Sequence, residues 1–339
     1  MKFFSYRSAN GSPATGLFHE GRAIDLAAAA HATRAPHFPA LLDDLIRHYS
    51  DFGTTCQRID GQFKSGSFSE FELTFSELLL LPPVLRPASC RDGYAFRQHV
   101  LTARRNRGVE MIPEFDQYPI FYFTNHNAVT GPGDVSCLAD HFHQLDFELE
   151  AAVVIGTGGR NIEARDADRH IFGYTIMNDF SARVLQMEEM KLNLGPAKGK
   201  DFATSIGPLL VTPDELDAFR IDPPAGHTGT RHNLTMRAFV NGQQVSEGNL
   251  GDMDWTFAEI IERCAYGVDL HPTEVIGSGT VGTGCFLELN GTAKLENPDH
   301  VAQWLQPDDV VELEIDQLGR LANRMLHAGD YSLMSKKKH

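Results

Sequence analysis

In the segment Asp-Phe-Glu-Leu-Glu-Ala-Ala-Val-Val-Ile-Gly at 146–156, the acidic pair Glu148 and Glu150 comes before an uninterrupted apolar stretch. The pattern predicts a strand that becomes fully apolar after Glu150. Because side chains alternate between the two faces of a strand, Glu148 and Glu150 are predicted to share one face. Two like charges beside a hydrophobic core are costly unless a cation neutralises them. A hard divalent ion held by oxygen ligands is the simplest remedy.

Composition excludes several classes of protein. The 339 residues carry a formal net charge of −15, which repels nucleic acid and anionic lipid. No apolar run approaches the ~20 residues that span a membrane, and residues 1–6 do not resemble a signal peptide. The five cysteines are scattered without a C-x-x-C pair, which indicates reduced thiols and a cytoplasmic protein. Cys285 is interpreted as an ordinary buried thiol rather than a nucleophile.

The chain is predicted to divide into two parts. Residues 1–85 are expected to form a small N-terminal domain plus linker, which ends near the proline pair at 82–83, and residues 86–339 a larger second domain. The first part is predicted to contain short strands at 2–6 and 16–26 with a turn at Glu20-Gly21, an amphipathic helix at 38–49 and a loop at 61–69.

The second part is predicted to be rich in strands, so the fold class is α+β. Strands are expected at 120–123, 148–155, 173–177, 234–240, 275–277, 285–289 and 310–315, with hairpins at Asn241-Gly242 and Leu318-Gly319. Helices are expected at 180–190 and 255–266. Because strands and helices do not alternate regularly, a doubly wound parallel sheet is disfavoured.

Asp179 follows a second apolar stretch and precedes a predicted helix. It is a plausible N-cap, since an aspartate there accepts the free backbone N–H groups of the first turn. Arg183 and Gln186 lie four and seven residues further on, so the three side chains are predicted to follow one helical face toward an oxygen-rich anion. The alternative is an exposed helix face with an Asp–Arg pair worth under ~1 kcal/mol.

Several histidines are candidates for chemistry. In the segment at 90–99, Asp92 offers another carboxylate and His99 a base near neutral pH, although a lone histidine is more often structural. His141 and His143 share a face, which suggests zinc, but no further histidine or cysteine stands at a suitable spacing.

Two glycine-bearing loops invite comparison with nucleotide-binding motifs. The loop at 195–204 lacks the Walker pattern. The run at 277–284 is predicted to precede a strand at 285–289 rather than a helix, and phosphate binding of this kind needs a helix N-terminus. Nucleotide binding is therefore rejected.

Four segments in order resemble the fumarylacetoacetate hydrolase family: Leu-Asp-Phe-Glu-Leu-Glu at 145–150, Met-Asn-Asp-Phe-Ser-Ala-Arg at 177–183, Gly-Lys-Asp-Phe-Ala-Thr at 199–204 and Gly-Ser-Gly-Thr at 277–280. The pair Asp92 and His99, seven residues apart, joins them. The resemblance covers about residues 91–324. It implies a mixed β-roll/β-sandwich catalytic domain, a small N-terminal α/β domain and a homodimer.

The resemblance also implies a site. The family's ligands of Mg²⁺, or of Ca²⁺ or Mn²⁺, correspond to Asp92, Glu148, Glu150 and Asp179. Its catalytic residues correspond to His99, the orienting Glu288 and Lys200, with Lys198 a rival to Lys200. Its substrate-binding residues correspond to Tyr94, Tyr122, Arg183, Gln186 and Thr280. Met190 and Ala203 replace an aromatic residue and a glycine of the animal enzymes, which implies a different substrate outline.

The implied activity is hydrolysis of a carbon–carbon bond in a 1,3-dicarbonyl acid, such as a fumarylacetoacetate- or acylpyruvate-like compound. A metal-dependent decarboxylase, hydratase or keto–enol tautomerase acting on a 2-oxo acid is the first alternative. A structural Ca²⁺-binding scaffold is the alternative that is not an enzyme.

Overall fold

The computed structural model describes residues 1–35 and 37–338. Its strands are β1 (Lys2–Arg7), β2 (Pro13–His19), β3 (Arg22–Asp25), β4 (Glu72–Leu73), β5 (Leu80–Leu81), β6 (Cys90–Gly93), β7 (Phe121–Thr124), β8 (Val129–Thr130), β9 (Gly133–Leu138), β10 (Leu145–Asp146), β11 (Leu149–Ile155), β12 (Gly159–Arg160), β13 (Ile171–Asp179), β14 (Ser181–Ala182), β15 (Thr204–Val211), β16 (Arg220–Ile221), β17 (Arg231–His232), β18 (Thr235–Val240), β19 (Gln243–Asn249), β20 (Asp269–Leu270), β21 (Val275–Gly277), β22 (Val310–Ile315) and β23 (Gly319–Gly329). Its α-helices are α1 (Leu26–Ala32), α2 (Leu42–Arg47), α3 (Tyr49–Lys64), α4 (Arg97–Asn106), α5 (Ala164–Ala167), α6 (Arg183–Met190), α7 (Phe257–Ala265) and α8 (Phe286–Glu296).

A large mixed sheet runs through the molecule. Within the described ranges it has 12 strands, in the order β4-β3-β2-β1-β15-β13-β11-β21-β6-β7, with β5 paired to β1 and β8 to β15. Most neighbours are antiparallel, while β21 is parallel to β6 and β8 to β15. The order brings β11, β21 and β6 side by side, so the carboxyl ends of β21 and β6 lie beside the beginning of β11.

A second sheet, β19-β18-β22-β23-β9, packs against one face of the large sheet. Strand β11 shows why the core forms there: Ala151 and Val153 belong to the hydrophobic core that includes the second sheet, whereas Ala152 and Val154 belong to a core on the opposite face. A strand buried on both faces has to be apolar throughout, as the sequence from 151 to 155 is. The β-rich α+β fold class is confirmed.

The opposite face of the large sheet is covered by the N-terminal helices. Leu42, Leu45 and Ile46 of α2 are buried, and so are Ile59 and Phe63 of α3, and all five pack in the core shared with Ala152 and Val154. Strand β1 pairs directly with β15, so the N-terminal segment contributes strands to the large sheet. The division into domains at residue 85 stays a prediction.

Local differences from the predicted elements have physical reasons. The helix predicted at 38–49 begins only at Leu42, after Pro39, and a second helix follows from Tyr49. That helix extends to Lys64 and so includes Gly61, which lay in a predicted loop, because its buried face outweighs the cost of glycine in a helix. The predicted hairpin turns at Glu20-Gly21 and Asn241-Gly242 are confirmed.

The strand predicted at 285–289 is wrong, because these residues begin helix α8. The five residues are apolar except for Glu288, and a short apolar run satisfies a strand and a helix equally well. Among the described residues, no helix combines the length and the apolar character needed to cross a membrane.

His232 gives the fold a predicted acid sensitivity. Its side chain packs edge-on against Tyr174, with ring centroids 4.9 Å apart, and it is 3% exposed. Burial, assisted by the charge of Arg220 and partly opposed by Asp168 and Asp217, lowers its pKa to about 4. The pKa of a histidine in the unfolded chain is about 6.5. At a pH between about 6.5 and about 4, His232 is therefore protonated mainly in the unfolded chain.

Stability is therefore expected to fall as the pH drops from about 6.5 toward about 4, by at most about 3 kcal/mol from this group. His232→Phe keeps the aromatic contact and removes the titration, so its melting temperature should change less between pH 7 and pH 5. His31→Phe, at an exposed position, is the control. An unchanged pH dependence in His232→Phe would show that another group is responsible.

Candidate active site

Three carboxylates meet where β11, β21 and β6 lie next to one another. Gly277 of β21 is paired with Asp92 on one side and with Ala152 on the other, so Asp92 and Glu150 approach each other across it. A Cβ atom on Gly277 would lie 2.4 Å from Asp92 Oδ1 and 3.0 Å from Glu150 Oε2. The absence of a side chain at Gly277 therefore leaves room for the two carboxylates to converge.

One carboxylate oxygen from each of Asp92, Glu148 and Glu150 lies within 4.8 Å of the others. All three side chains are buried, and Glu150 Oε2 accepts no hydrogen bond within the part of the chain that the structure describes. Burial and the charge of Asp179 raise the pKa of Asp92 to about 7, and burial together with the charge of Asp92 raises that of Glu150. Oxygen ligands of this number and spacing fit Mg²⁺, Ca²⁺ or Mn²⁺, whose charge would offset the repulsion.

Asp179 is placed differently from the other three. It is the last residue of β13, and α6 begins only at Arg183 with Ala182 as its N-cap, so the predicted N-cap role of Asp179 is wrong. Its Oδ2 accepts a hydrogen bond from the Tyr122 hydroxyl and forms an ion pair with Lys200 Nζ at 2.8 Å. Asp179 therefore borders the three carboxylates and is bonded to protein donors.

Lys200 lies between Glu148 and Asp179. Its Nζ contacts both carboxylates, and its side chain is only 4% exposed. Burial alone would raise the pKa of Glu148, but Lys200 and Arg183 outweigh it and lower that pKa to about 2. Lys198, the rival lysine, is 53% exposed and pairs with Asp201, so the lysine within the site is Lys200.

A buried imidazole–carboxylate pair stands beside the carboxylates. His99 Nδ1 on α4 lies 2.6 Å from Glu288 Oε2 on α8, and both side chains are almost fully buried. The Tyr94 ring packs edge-on against the imidazole, with centroids 5.9 Å apart. Because Nδ1 is bonded to Glu288, Nε2 is the imidazole nitrogen that can take part in proton transfer.

Arg183 is buried and directed inward. Its Nη2 lies 2.8 Å from Asp146 Oδ2 and 2.9 Å from Glu148 Oε1, and its Nη1 donates to Gln186 Oε1 at 3.1 Å. The alternative of an exposed Asp–Arg pair on the helix surface is therefore wrong. Thr280 reaches the cluster through a 3.5 Å contact of its hydroxyl with Glu150 Oε1.

The remaining motifs do not form sites of the predicted kinds. His141 stacks on Phe202, and neither His141 nor His143 belongs to a metal-competent group of side chains in the described ranges. A helix does follow the glycine run at 277–284, contrary to prediction, but its first backbone N–H groups donate to Asp146 and so do not face a phosphate site.

Comparison with known proteins identifies the family. The profile described as "Fumarylacetoacetate (FAA) hydrolase C-terminal" matches residues 89–326. The chain belongs to the fumarylacetoacetate hydrolase family. Members of this family are enzymes that act on small-molecule acids and generally use a divalent metal, which agrees with the three carboxylates.

Two curated relatives illustrate the match. Oxaloacetate tautomerase YisK of Bacillus subtilis (strain 168) is 31% identical over 261 residues, which cover 75% of each chain. The mitochondrial oxaloacetate tautomerase FAHD2A of Homo sapiens is 31% identical over 253 residues, covering 74% of this chain and 70% of that protein.

Solved structures of other family members share the fold. A fumarylacetoacetate hydrolase from Exiguobacterium antarcticum superposes with a TM-score of 0.67 at 23% identity, covering 96% of this chain and 99% of that one. A 5-carboxymethyl-2-hydroxymuconate delta-isomerase from Mycobacterium smegmatis gives 0.63 at 21% identity, covering 96% and 100%.

Sequence reasoning missed several residues of this family site. Asp146 lies inside the motif that carries Glu148, but its position gave no sign that its carboxylate would bind a distant helix. Thr204 donates to Asp179 Oδ1 at 3.3 Å, and the Gly279 amide donates to Asp92 Oδ1 at 3.0 Å. For Gly279 the residue type itself was a usable signal, because glycine often marks a position with positive φ, and the φ of Gly279 is +77°.

Proposed function

We propose that this protein catalyses keto–enol tautomerisation of a 2-oxo dicarboxylic acid of the oxaloacetate type, with a divalent ion bound by Asp92, Glu148 and Glu150. The observation that carries the proposal is the buried His99–Glu288 pair together with three convergent carboxylates, one of which, Glu148, is close enough to His99 for the imidazole charge to act on its pKa. The two relatives that are 31% identical and bear the name oxaloacetate tautomerase support the substrate class.

The bound cation would supply positive charge that stabilises an enolate oxygen. His99, with Glu288 holding Nδ1–H, is oriented to accept a proton at Nε2 from the carbon next to the keto group and to return it to oxygen. Lys200 and Arg183 hold Glu148 ionised, which keeps this ligand available to a cation. Tyr94 covers one side of the imidazole and limits water access to it.

Hydrolysis of a carbon–carbon bond in an acylpyruvate-like acid is the second candidate, and the same His99–Glu288 pair favours it. A base held in one orientation can remove a proton from water as well as from carbon. In that case the hydroxide would attack the distal carbonyl, the carbon–carbon bond would break, and its electrons would pass to the enolate of the leaving 2-oxo acid. For either activity we also propose that the bound ion is Mg²⁺ and that the protein is a homodimer located in the cytoplasm.

One series of assays distinguishes the tautomerase from the hydrolase. The purified protein with Mg²⁺ is mixed with oxaloacetate enriched in its enol, and the enol absorbance is followed while NMR in D₂O records deuterium at C3. We expect the enol–keto interconversion to exceed the buffer rate, with no release of carbon dioxide and with loss of the effect after chelation.

Acylpyruvates are assayed in parallel. Formation of two acids from them, with oxaloacetate interconversion at the buffer rate, would replace the tautomerase proposal by the hydrolase. Carbon dioxide and pyruvate from oxaloacetate would indicate a decarboxylase. A Mg²⁺-dependent rise in melting temperature without turnover of any of these acids would favour a structural cation site.

A further inference from the structure

The carboxylate of Asp146 is fully buried and accepts hydrogen bonds from both sides of the site. Oδ1 accepts from the backbone N–H of Phe286 at 2.8 Å and of Phe147 at 2.9 Å. Oδ2 accepts from Leu287 N–H at 2.9 Å and from Arg183 Nε at 2.9 Å, and it forms an ion pair with Arg183 Nη2 at 2.8 Å. Such a set of donors fixes the position of a carboxylate and, equally, of the groups that donate to it.

One side of this network is the start of α8. The first N–H groups of a helix have no partner within the helix, and the N-cap residue Cys285 makes no side-chain hydrogen bond to them. Asp146 satisfies two of these groups from a distant strand. Glu288 is the third residue of α8, so the position of the helix start determines where its carboxylate meets His99.

The other side of the network is Arg183, which reaches Glu148. The guanidinium contacts Asp146 and Glu148 through the same Nη2 atom, at 2.8 and 2.9 Å. Asp146 thus connects the helix that carries Glu288 with the arginine that contacts Glu148. In the described chain it makes no hydrogen bond to His99.

We propose that Asp146 is a positioning residue: it anchors the first turn of α8 and thereby sets the short hydrogen bond between Glu288 and His99. The kinetic consequence rests on the proposed function, because it requires His99 to be the base. The structural consequence does not, since the hydrogen bond exists whichever reaction the site catalyses.

Asp146→Asn tests the structural consequence directly. The amide keeps the size of the side chain but turns an NH₂ group toward donors, so the helix start loses part of its anchor. In protein labelled with ¹⁵N-histidine, the downfield Nδ1–H resonance of His99, assigned by its loss in Glu288→Gln, should weaken or shift in Asp146→Asn. Adding Cys285→Ser, which provides a local N-cap oxygen, should restore part of the signal.

Asp43→Asn is the matched control. Asp43 is another buried aspartate that accepts two backbone N–H groups, those of Leu85 at 3.0 Å and Arg86 at 2.9 Å, but it lies on α2. It should lower stability without altering the His99 resonance. An unchanged resonance in folded Asp146→Asn, or an equal change in Asp43→Asn, would overturn the positioning role.

Kinetics add a second readout. Asp146→Asn is expected to lower kcat about 10–100-fold, with KM altered less than about 2-fold. In the Glu288→Gln background the same substitution should lower kcat by a much smaller factor, because the hydrogen bond between Glu288 and His99, through which Asp146 acts, is already lost. Equal factors in both backgrounds would indicate a general structural effect and overturn the proposal. If Glu288→Gln itself leaves turnover unchanged, the proposed function fails, and the NMR result alone decides the role of Asp146.

Discussion

His99→Ala is expected to lower kcat by about 10²–10⁴-fold while the metal remains bound. Histidine is the residue type that most often both accepts and returns a proton in reactions near neutral pH, and His99 brings an imidazole to this site. Its Nδ1 is held 2.6 Å from the Glu288 carboxylate, in a pair whose side chains are 10% and 2% exposed. The measurement is turnover of the enol substrate at saturating Mg²⁺, with Mg²⁺ binding checked by the shift in melting temperature.

A second imidazole–carboxylate pair provides the matched control. His227 Nδ1 lies 3.1 Å from the Glu259 carboxylate, and this pair stands outside the three-carboxylate cluster. His227→Ala should leave kcat within about 2-fold of the wild type, since surface and structural pairs contribute mainly to stability. Equal losses in the two variants, or full turnover in His99→Ala with metal bound, would remove His99 from the role of base.

Part of the acidic centre could be predicted from the sequence because a short-range rule applies there. Glu148 and Glu150 are two residues apart at the start of an apolar strand, and alternation of side chains predicts that they share a face. In the structure their carboxylates do converge, although Glu148 lies just before β11 begins. That Asp92 joins them depends on β21 lying between β11 and β6, which pairs strands separated by more than a hundred residues. The resemblance to a family supplied this long-range information, whereas periodicity does not contain it.

The helical environment of the base was predicted less well. Residues 285–289 are apolar except for Glu288, which suits a strand as well as a helix. The first N–H groups of the helix that they begin donate to Asp146, about 140 positions earlier in the chain. The same holds for Arg183, whose partners Asp146 and Glu148 precede it by more than thirty positions. Networks between buried charges depend on the tertiary structure, so no local pattern reveals them.

Glu150→Gln is expected to have opposite effects on the metal-free and the metal-bound protein. Without metal, Glu150 Oε2 is a buried oxygen that has no hydrogen-bond partner in the described chain, close to two other carboxylates. Glutamine has nearly the same shape and removes the cost of burying or neutralising a carboxylate beside Asp92 and Glu148, so the metal-free variant should be more stable by on the order of 1 kcal/mol. With metal, the loss of an ionised ligand should abolish most of the binding.

The readout is the unfolding free energy in EDTA and in Mg²⁺. At a concentration of 100 times its Kd, Mg²⁺ should stabilise the wild-type protein by about 2.7 kcal/mol, and at the same concentration a variant that binds 100-fold more weakly gains only about 0.4 kcal/mol. Glu163→Gln, at an exposed position, should retain the full wild-type shift. If Glu150→Gln also retained it, or if it were less stable than the wild type in EDTA, the three carboxylates would not be the cation site. The opposite signs matter because a variant that merely damaged the fold would lose stability in both conditions.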